Sequence, residues 1–359
     1  MRVLVGLSGG VDSAVAAYLL QTEGHEVIGA TMSIWDKEQV FKTATGKEGC
    51  FSPHEEEDIK HAQEICQILN IPYHVFDCTE QYKKTVLQNF KEEYLNGRTP
   101  NPCIICNSSI KFNTLPTTAK QNGLEFDKFA TGHYTRLSYD NLSNRYKIQT
   151  AIDKNKDQSY FLYRLTQQQL SQILLPLGNF TKAEIRKIAE EANFPISHKA
   201  DSQDFYTGDI NDIIQATPKI GNFVTQDGTI LGQHQGIWNY TIGQRRGLGI
   251  SAPKPLYVIG LNKEKNEVIL GFDDEAYKNS LIADNLAWLS CSPLTQTTEV
   301  MAKVRSSQKP IKALITPLDE YKIKVEFIEP QKALTPGQSI VLYDNDEYVL
   351  GGGFIKETI

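Results

Sequence analysis

Apolar and polar residues follow two recurring patterns over residues 1–208. Short apolar runs, such as residues 2–7 and 25–32, are typical of buried parallel strands. The segments between such runs, for example 13–20 and 55–69, carry apolar residues at helical spacing. This succession of strand and helix predicts a doubly wound α/β domain, in which helices cover both faces of a parallel sheet.

The pattern changes beyond residue 209. Helical spacing fades, and glycines, β-branched residues and turns dominate from about residue 221 onward. Strands such as 300–305 and 323–328 alternate apolar and polar positions, as the strands of a small barrel do. A chain of 359 residues is also too long for a single core. We therefore predict a doubly wound domain over residues 1–208, a mostly β central domain over 209–280 and a C-terminal β-barrel over 281–359.

The sequence Ser-Gly-Gly-Val-Asp-Ser occupies residues 8–13, between the first predicted strand and the first predicted helix. Adjacent glycines let backbone N–H groups approach an anion, and the N-terminus of the following helix favours phosphate. The spacing differs from that of a Walker A loop. The hexapeptide resembles the PP-loop of the N-type ATP pyrophosphatases, which cleave ATP between its α- and β-phosphates and transfer AMP to a carbonyl oxygen. A strand–turn–helix corner without a ligand is the alternative.

Two further residues fall at the ends of predicted strands, where doubly wound sheets bind their ligands. Met32 would pack against adenine, although a core methionine explains this position equally well. Gly132 would leave room for the nucleotide because it has no side chain. The expected ATP-binding residues are Gly6, Leu7, Ser8, Gly9, Gly10, Val11, Asp12, Ser13, Met32 and Gly132.

Composition and charge narrow the class of protein. The chain has 37 Lys and Arg against 43 Asp and Glu, so a general affinity for nucleic acid is not expected and RNA contacts must come from local patches. It lacks an apolar run of about 18 residues, and its first strand begins at residue 2, which leaves no space for a signal peptide. We expect a cytoplasmic protein. Its six cysteines are then expected to be free thiols or metal ligands rather than disulfides.

Two of these cysteines, Cys103 and Cys106, lie in the segment 98–107, which contains two prolines. Because proline disfavours regular helix, we expect a stiff, exposed loop that presents both thiols. Arg98 and Lys111 flank the pair in sequence, and their positive charges would favour the reactive thiolate form.

Seven short motifs extend across nearly the whole chain. They are residues 8–13, 98–102 with 106–107, 110–112, 130–134, 156–162, 243–249 and 351–353. In this order they resemble the motifs of the bacterial tRNA-uridine 2-sulfurtransferases, the 2-thiouridylases that modify the wobble uridine of tRNA. The cysteine segment and residues 156–162 are the most specific, since the hexapeptide is shared with other ATP pyrophosphatases.

The resemblance implies an enzyme that uses ATP to replace an oxygen of uracil with sulfur. ATP would adenylate the C2 oxygen with release of pyrophosphate, and sulfur would then displace AMP. Asp12 would orient Mg²⁺ in the first step, and Cys106 with Cys103 would act in the second. The implied partners are tRNA, ATP and an upstream sulfur donor, which is a sulfur-relay protein, a cysteine desulfurase or sulfide. The implied tRNA contacts are Asn101, Pro102, Cys103, His133, Lys156, Asp157, Gln158, Arg305, Ser306 and Gln338.

The sequence departs from the family pattern at its cysteines. Many members carry a second catalytic cysteine after Asp-Ser, whereas the matching run 201–207 has Tyr206 at that place. Cys103 stands where members have Asp, and Cys50 adds a third thiol. Three thiolates with one open iron site suggest a [4Fe–4S] cluster held by Cys50, Cys103 and Cys106. A thiol or Cys103–Cys106 disulfide relay, zinc, and no role at all are the alternatives.

Two other functions fit part of the pattern. A PP-loop ligase that forms an amide or guanidino product shares the adenylation step, but it needs an amine donor and has no use for the cysteines. A non-catalytic RNA-binding protein that retains a nucleotide pocket is the other, and the intact hexapeptide argues against such a loss.

Overall fold

The N-terminal domain is built on a five-stranded parallel sheet. A computed structural model describes residues 1–36, 41, 49–197, 199 and 204–359. The strands of the sheet are β1 (Arg2–Gly6), β2 (Glu26–Ser33), β3 (Tyr73–Asp77), β4 (Lys128–Thr131) and β7 (Ile173–Leu174). Their spatial order is β3–β2–β1–β4–β7, which confirms the doubly wound fold. Because the order reverses between β1 and β4, their carboxyl ends flank the crevice where such sheets bind ligands.

Helices pack on both faces of this sheet, because successive residues of a strand point to opposite sides. Val3 and Val5 pack with α1, α2 and α8, whereas Leu4 packs with the opposite layer that contains Phe112 and Leu115. The α-helices are α1 (Val11–Thr22), α2 (Glu55–Leu69), α3 (Thr79–Tyr82), α4 (Gln88–Leu95), α5 (Pro102–Ile105), α6 (Leu115–Gln121), α7 (Gln167–Ser171) and α8 (Lys182–Glu191). The domain also contains two π-helical stretches, a 3₁₀ turn and a hairpin: Lys83–Leu87, Cys106–Thr114, Ser159–Leu162, and β5 (Thr135–Asp140) with β6 (Arg145–Thr150).

The segment around the two cysteines differs from the predicted exposed loop. α5 begins at Pro102 and continues directly into the π-helical stretch that starts at Cys106. Proline is tolerated at the first helical position because the N–H that it lacks has no helical partner there. Cys106 is consequently only 6% exposed, and Cys103 is half-buried. The thiols lie on a packed helix, so the loop prediction was wrong.

Two β structures complete the chain. α9 (Asn211–Ile214) precedes a four-stranded sheet with the strand order β10–β11–β8–β9, formed by β8 (Gly221–Val224), β9 (Ile230–His234), β10 (Tyr257–Asn262) and β11 (Glu267–Gly271). The remaining strands are β12 (Tyr277–Trp288), β13 (Thr298–Lys303), β14 (Ile311–Pro317), β15 (Ile323–Lys332), β16 (Ser339–Tyr343) and β17 (Val349–Thr358). They close into a six-stranded barrel, which confirms the predicted C-terminal barrel. Over the described residues, no helix combines the length and apolar character needed to cross a membrane.

The barrel docks on the N-terminal domain through the 3₁₀ turn at Ser159–Leu162. The Tyr160 hydroxyl donates to the Ser339 carbonyl (2.8 Å), and the Tyr163 hydroxyl lies 3.0 Å from the Ser339 hydroxyl. These side chains are fully buried, so their polar groups must find partners within the protein. The hydrogen bonds therefore fix how the two domains fit together.

A buried ion pair crosses the same interface. The Asp157 carboxylate lies 3.6 Å from Lys303 Nζ, and the two side chains are only 4% and 7% exposed. Asp157 also accepts hydrogen bonds from the Ala151 amide (3.1 Å) and the Ser159 hydroxyl (2.9 Å). Burial lowers the pKa of Lys303, and the neighbouring carboxylate opposes this effect.

Lys303→Met is expected to lower the free energy of unfolding by about 3 kcal/mol, because it leaves the Asp157 charge buried without its partner. Lys303→Met combined with Asp157→Asn is expected to recover part of this loss. Lys312→Met removes an exposed barrel pair with Glu299 and is expected to cost less than about 1 kcal/mol. Urea unfolding measures all three variants, and equal losses for Lys303→Met and Lys312→Met would contradict the prediction.

Candidate active site

The loop after β1 owes its shape to glycine and serine. Gly9 has a φ of +68°, and a Cβ there would lie 2.4 Å from the carbonyl oxygen of Asp58 on α2. Only glycine combines an unstrained positive φ with the absence of a Cβ. Ser13 Oγ accepts a hydrogen bond from the Ser8 amide (3.1 Å) and donates one to the Gly10 carbonyl (3.1 Å). The serine therefore closes the turn on itself.

The N-terminus of α1 faces this turn without a side-chain cap. Gly10 is the capping residue, and in the described part of the chain no side chain bonds the first amides in its place. Unpaired amides and the positive end of the helix dipole attract an anion. The loop therefore has the properties of a phosphate site, which is the role predicted for residues 8–13.

Two lysines flank the loop, and sequence reasoning missed both. Lys182, the first residue of α8, lies 2.7 and 2.9 Å from the two carboxylate oxygens of Asp12. Lys199 Nζ lies 3.0 Å from the Gly9 carbonyl and 2.6 Å from Asp58 Oδ1. Both lysines are at least 170 positions from the loop residues that they contact, so no local sequence pattern could have indicated them. They add positive charge where phosphate is expected.

Asp12 is engaged more fully than predicted. The Tyr134 hydroxyl donates to Asp12 Oδ1 (2.6 Å), and Lys182 contacts both carboxylate oxygens. The side chains of Asp12 and Lys182 are 29% and 11% exposed. Lys182 thus balances the charge of Asp12 in this structure, and the role of Asp12 in orienting Mg²⁺ stays a prediction.

The other predicted ATP-binding residues contribute in different ways. Leu7 and Val11 are buried in the core between the sheet and α1, so any contact with ATP must come from their backbone. Gly6 is the last residue of β1 and pairs with neighbouring strands on both sides. Met32 is half-buried near the end of β2 and packs against two apolar clusters. Its contact with adenine stays a prediction.

Gly132 lies against the first turn of α1. A Cβ at this position would lie 2.7 Å from the backbone of both Asp12 and Ser13. The missing side chain lets the chain after β4 approach the first turn of α1, and a contact of Gly132 with nucleotide stays a prediction. Gly132 therefore positions the loop.

Three thiols gather beside the π-helical stretch. Cys50, Cys103 and Cys106 interact electrostatically with one another and with Lys111. Burial raises the pKa of the Cys106 thiol to about 11, and the positive charge of Lys111 opposes this rise. Burial lowers the pKa of Lys111, but the three thiols together outweigh it and raise that pKa above its usual value. Lys111 therefore lies close enough to act on the thiols, and its support of a thiolate stays a prediction.

Arg98 does not share this role. Its guanidinium forms an ion pair with Glu93 at the end of α4, and it is absent from the interactions that shift the pKa of Cys103 or Cys106. Neighbours in sequence need not be neighbours in space, and Glu93 holds the Arg98 guanidinium instead. The prediction that Arg98 activates the thiols was wrong.

The thiols do not fit the predicted [4Fe–4S] cluster in this arrangement. Among the residues that the structure describes, no three His, Cys, Asp or Glu side chains are placed to hold a metal ion. Cys50 is exposed as a residue, yet the protein around its Sγ disfavours charge and raises the pKa of the thiol to about 12. Its Sγ lies 3.8 Å from the Phe205 carbonyl.

His133 joins the loop to the thiol-bearing stretch. Its Nδ1 lies 2.8 Å from the Thr131 hydroxyl, and its ring centroid is 5.5 Å from that of Phe112. Burial, with a smaller contribution from Lys111, lowers the pKa of His133 to about 3. The imidazole is therefore neutral at physiological pH and can take part in hydrogen bonding but not in charge pairing.

This shift predicts a pH-dependent stability. In the unfolded chain, His133 is protonated below the usual histidine pKa of about 6.5. In the folded protein it is protonated only below about pH 3. Stability should therefore fall as the pH decreases below 6.5, by up to about 1.4 kcal/mol per pH unit from this group. His133→Gln should show a shallower fall in urea unfolding. Identical slopes for the two proteins would contradict the prediction.

Three family models match consecutive parts of the chain. A tRNA methyl transferase HUP domain matches residues 1–206, a tRNA methyl transferase PRC-barrel domain matches 210–272, and an aminomethyltransferase beta-barrel domain matches 278–355. A tRNA-specific 2-thiouridylase MnmA of Endomicrobium trichonymphae is 51% identical over 357 residues, which are 99% of this chain and 99% of that protein. The chain belongs to the tRNA-specific 2-thiouridylase family.

Other members of the 2-thiouridylase family also match this chain over nearly its full length. The MnmA proteins of Clostridium botulinum strain Alaska E43 and of Acetivibrio thermocellus are both 44% identical to this chain. The matches cover 100% and 99% of this chain, and 98% and 99% of the relatives. The family predicted from the seven motifs is thereby confirmed.

This 2-thiouridylase family member has Tyr206 where a second cysteine was expected. The Tyr206 hydroxyl donates to Asp212 Oδ2 (2.9 Å), and its ring centroid lies 6.1 Å from that of Phe51. The preceding residues of the run, 201–203, lie outside the described residues. Cys50 lies beside the same segment, since its amide donates to the Asp204 carbonyl (3.2 Å). A thiol is thus present near the expected place, supplied by a different part of the chain.

Apart from His133, whose tRNA contact stays a prediction, the residues predicted to bind tRNA fall into three groups. Asn101, Pro102 and Cys103 lie at the start of α5, where Asn101 is the capping residue. Lys156 and Gln158 are half-buried, while the Asp157 carboxylate is almost fully buried in its ion pair with Lys303. The Asp157 side chain therefore serves the domain interface in this structure. A tRNA contact at these positions stays a prediction.

The third group lies on the barrel. Arg305 is exposed, and one of its nitrogens donates to the Ala333 carbonyl (2.9 Å); its neighbour Ser306 is half-buried. Gln338 donates to the carbonyls of Thr99 (2.9 Å) and Pro100 (3.1 Å). Gln338 thus connects the barrel to the segment that precedes the thiols, and its predicted contact with tRNA stays a prediction.

Proposed function

We propose that this chain uses ATP to replace the C2 oxygen of the wobble uridine of tRNA with sulfur. The observation that supports this most directly is the short connection between the anion loop and the thiols. Gly132 packs on the first turn of α1, and the next residue, His133, contacts Phe112 in the thiol-bearing stretch. A uracil placed between them would meet the activating nucleotide on one side and the thiols on the other.

The first step activates the uracil oxygen. O2 attacks the α-phosphate of ATP, a new P–O bond forms, the bond to the β-phosphate breaks, and pyrophosphate leaves. The first amides of α1, Lys182 and Lys199 stabilise the charge that develops on the departing group. Mg²⁺ enters with ATP as part of the substrate, and Asp12, held by Lys182 and Tyr134, would orient the ion.

The second step delivers sulfur. An upstream donor places a sulfane sulfur on Cys106 as a persulfide, whose terminal sulfur attacks C2 of the adenylated base. The C2–O bond breaks, and AMP leaves with the former uracil oxygen. The Cys103 thiolate then attacks Cys106 Sγ, which releases the thiolated base and leaves a Cys103–Cys106 disulfide. A dithiol reductant restores the two thiols.

Lys111 is the residue of this chain that supports the thiolate steps. Its ammonium group opposes the rise in the pKa values of both Cys103 and Cys106. A thiolate is the nucleophile in such reactions, so this charge favours the reactive form. The same proposal includes three domains, at residues 1–208, 209–280 and 281–359, and a cytoplasmic location. Its source of sulfane sulfur is a sulfur-relay protein or a cysteine desulfurase. Sulfide, the third predicted donor, does not fit this step, because it needs a two-electron oxidant to become a persulfide.

The test is an incubation of the protein with ATP, a persulfide donor, a dithiol and unmodified tRNA that carries a wobble uridine. We expect 2-thiouridine, AMP and pyrophosphate in equal amounts, and none of them without tRNA. Consumption of an amine would indicate an amide-forming or guanidino-forming ligase, and the absence of AMP would indicate a non-catalytic RNA-binding protein. Either result would contradict the proposal.

A second measurement separates the persulfide relay from an iron–sulfur route. Protein purified under anaerobic conditions is analysed for iron and acid-labile sulfide, and its thiolation activity is measured on the same sample. Full activity in metal-free, colourless protein is expected for the relay. Activity that requires stoichiometric iron and sulfide would contradict it.

A further inference from the structure

A continuous set of hydrogen bonds connects residues 156–158 to the ATP loop. The Gln158 amide donates to the Tyr134 carbonyl (2.9 Å), and Gln158 Oε1 accepts from the Tyr134 amide (2.9 Å). The Tyr134 hydroxyl donates in turn to Asp12 Oδ1 (2.6 Å). Tyr134 is only 1% exposed, so packing holds its ring in one orientation. Gln158 and Asp12 are therefore connected through one buried side chain.

The barrel holds the other end of this path. Asp157, immediately before Gln158, forms the buried ion pair with Lys303, and Ser159, immediately after it, lies 3.3 Å from the Tyr343 hydroxyl. Lys303 and Tyr343 belong to neighbouring strands of the barrel, β13 and β16. The barrel thus fixes the backbone on both sides of Gln158. The position of Gln158 therefore depends on how the barrel packs against the N-terminal domain.

We propose that Gln158 and Tyr134 are positioning residues that couple the binding of tRNA to the use of ATP. The inference rests on the proposed function, because it takes the barrel and residues 156–158 to be in contact with tRNA. Asp12 Oδ1 accepts from Tyr134 and Lys182 at once, so the Tyr134 bond helps to set where the Lys182 ammonium lies. Lys182 is one of the two cations proposed to stabilise the departing pyrophosphate. Bound tRNA would therefore influence the adenylation step, in which ATP is cleaved.

Coupling of this kind must be reciprocal. If tRNA strengthens the binding of ATP by some factor, ATP must strengthen the binding of tRNA by the same factor. The dissociation constant of tRNA, measured with and without α,β-methylene-ATP, therefore reports the coupling without any turnover. For the wild-type protein we expect the analogue to tighten tRNA binding by about tenfold.

Tyr134→Phe removes the bond to Asp12, whereas Gln158→Met removes the side-chain bond to the Tyr134 amide and leaves the backbone bond between the two residues. Each is expected to reduce the tenfold effect of the analogue to about twofold or less. Because the two bonds lie in series, the double variant should lose no more coupling than either single variant. Gln158→Glu keeps an acceptor for the Tyr134 amide and should retain the coupling.

Gln149→Met is the matched control. Gln149 donates to the Asp346 carbonyl (2.8 Å) and so also connects the N-terminal domain to the barrel, but by a bond outside the path to Asp12. This variant should keep the wild-type coupling. Thermal unfolding shows whether Gln158→Met lowers stability. If it does, Tyr134→Phe still tests the coupling, because it preserves the buried ring.

Three results would overturn the inference. The first is a wild-type protein in which the ATP analogue does not affect tRNA binding. The second is unchanged coupling in Tyr134→Phe, and the third is a double variant whose losses multiply. Absence of 2-thiouridine from the wild-type reaction would instead overturn the proposed function, and the binding measurements distinguish that outcome because they need no thiolation.

Discussion

A Cys106→Ser variant is expected to form no measurable 2-thiouridine, a loss of more than about 10³-fold, while it still binds ATP. The serine hydroxyl cannot carry a sulfane sulfur, so the second step has no nucleophile. The loop that binds ATP lies on a different element, and the exchange of one sulfur for one oxygen leaves the packing around the 6%-exposed side chain nearly unchanged. Mass spectrometry of nucleosides from the reacted tRNA measures the product.

The matched control is Cys291→Ser. Cys291 is also a partly buried thiol, and its Sγ lies 3.6 Å from the Leu350 carbonyl in the C-terminal barrel region. It has no place in the proposed chemistry, so this variant should keep the wild-type rate. Thiolation by Cys106→Ser at a rate close to that of the wild type would exclude Cys106 as the sulfur carrier.

A Gly9→Ala variant is expected to lose ATP binding by about 100-fold or more. The new Cβ would lie 2.4 Å from the Asp58 carbonyl, so the loop or α2 must move. A displacement of about 1 Å in a binding loop is enough for a loss of this size. The left-handed backbone adds about 1 kcal/mol of strain. Calorimetric titration with α,β-methylene-ATP measures the affinity.

Gly24→Ala is the control variant, which introduces backbone strain without a steric clash. Gly24 also has a positive φ, +84°, but a Cβ there would meet nothing within 4 Å. We expect a small loss of stability and unchanged affinity for ATP. Equal affinities in Gly9→Ala and the wild type would show that the shape of the loop is not set by this contact.

Local patterns were sufficient to predict much of the fold. α2 has the predicted bounds, because spacing acts within a few residues. The helix of the cysteines was missed, since two prolines favoured a loop. Only the structure shows that Pro102 takes the first helical position, where proline is tolerated.

The candidate site could be predicted only where its residues are close in sequence. Residues 8–13 form their turn from their own glycines and serines, so the motif revealed the loop. Lys182 and Lys199 reach the loop across 170 and 190 positions, and tertiary packing alone brings them there. Asp157 was interpreted as a tRNA contact because its segment is characteristic of the family, yet a barrel lysine far along the chain determines its surroundings.

The fate of the uracil oxygen tests the proposed mechanism most directly. A tRNA carrying a heavy-oxygen label at O2 of its wobble uridine is thiolated in the presence of ATP and the persulfide donor, and the released AMP is analysed by mass spectrometry. Adenylation at O2 predicts one labelled oxygen in each AMP formed, in amounts equal to those of 2-thiouridine. Unlabelled AMP alongside 2-thiouridine would contradict the mechanism, because the oxygen would then have left by another route.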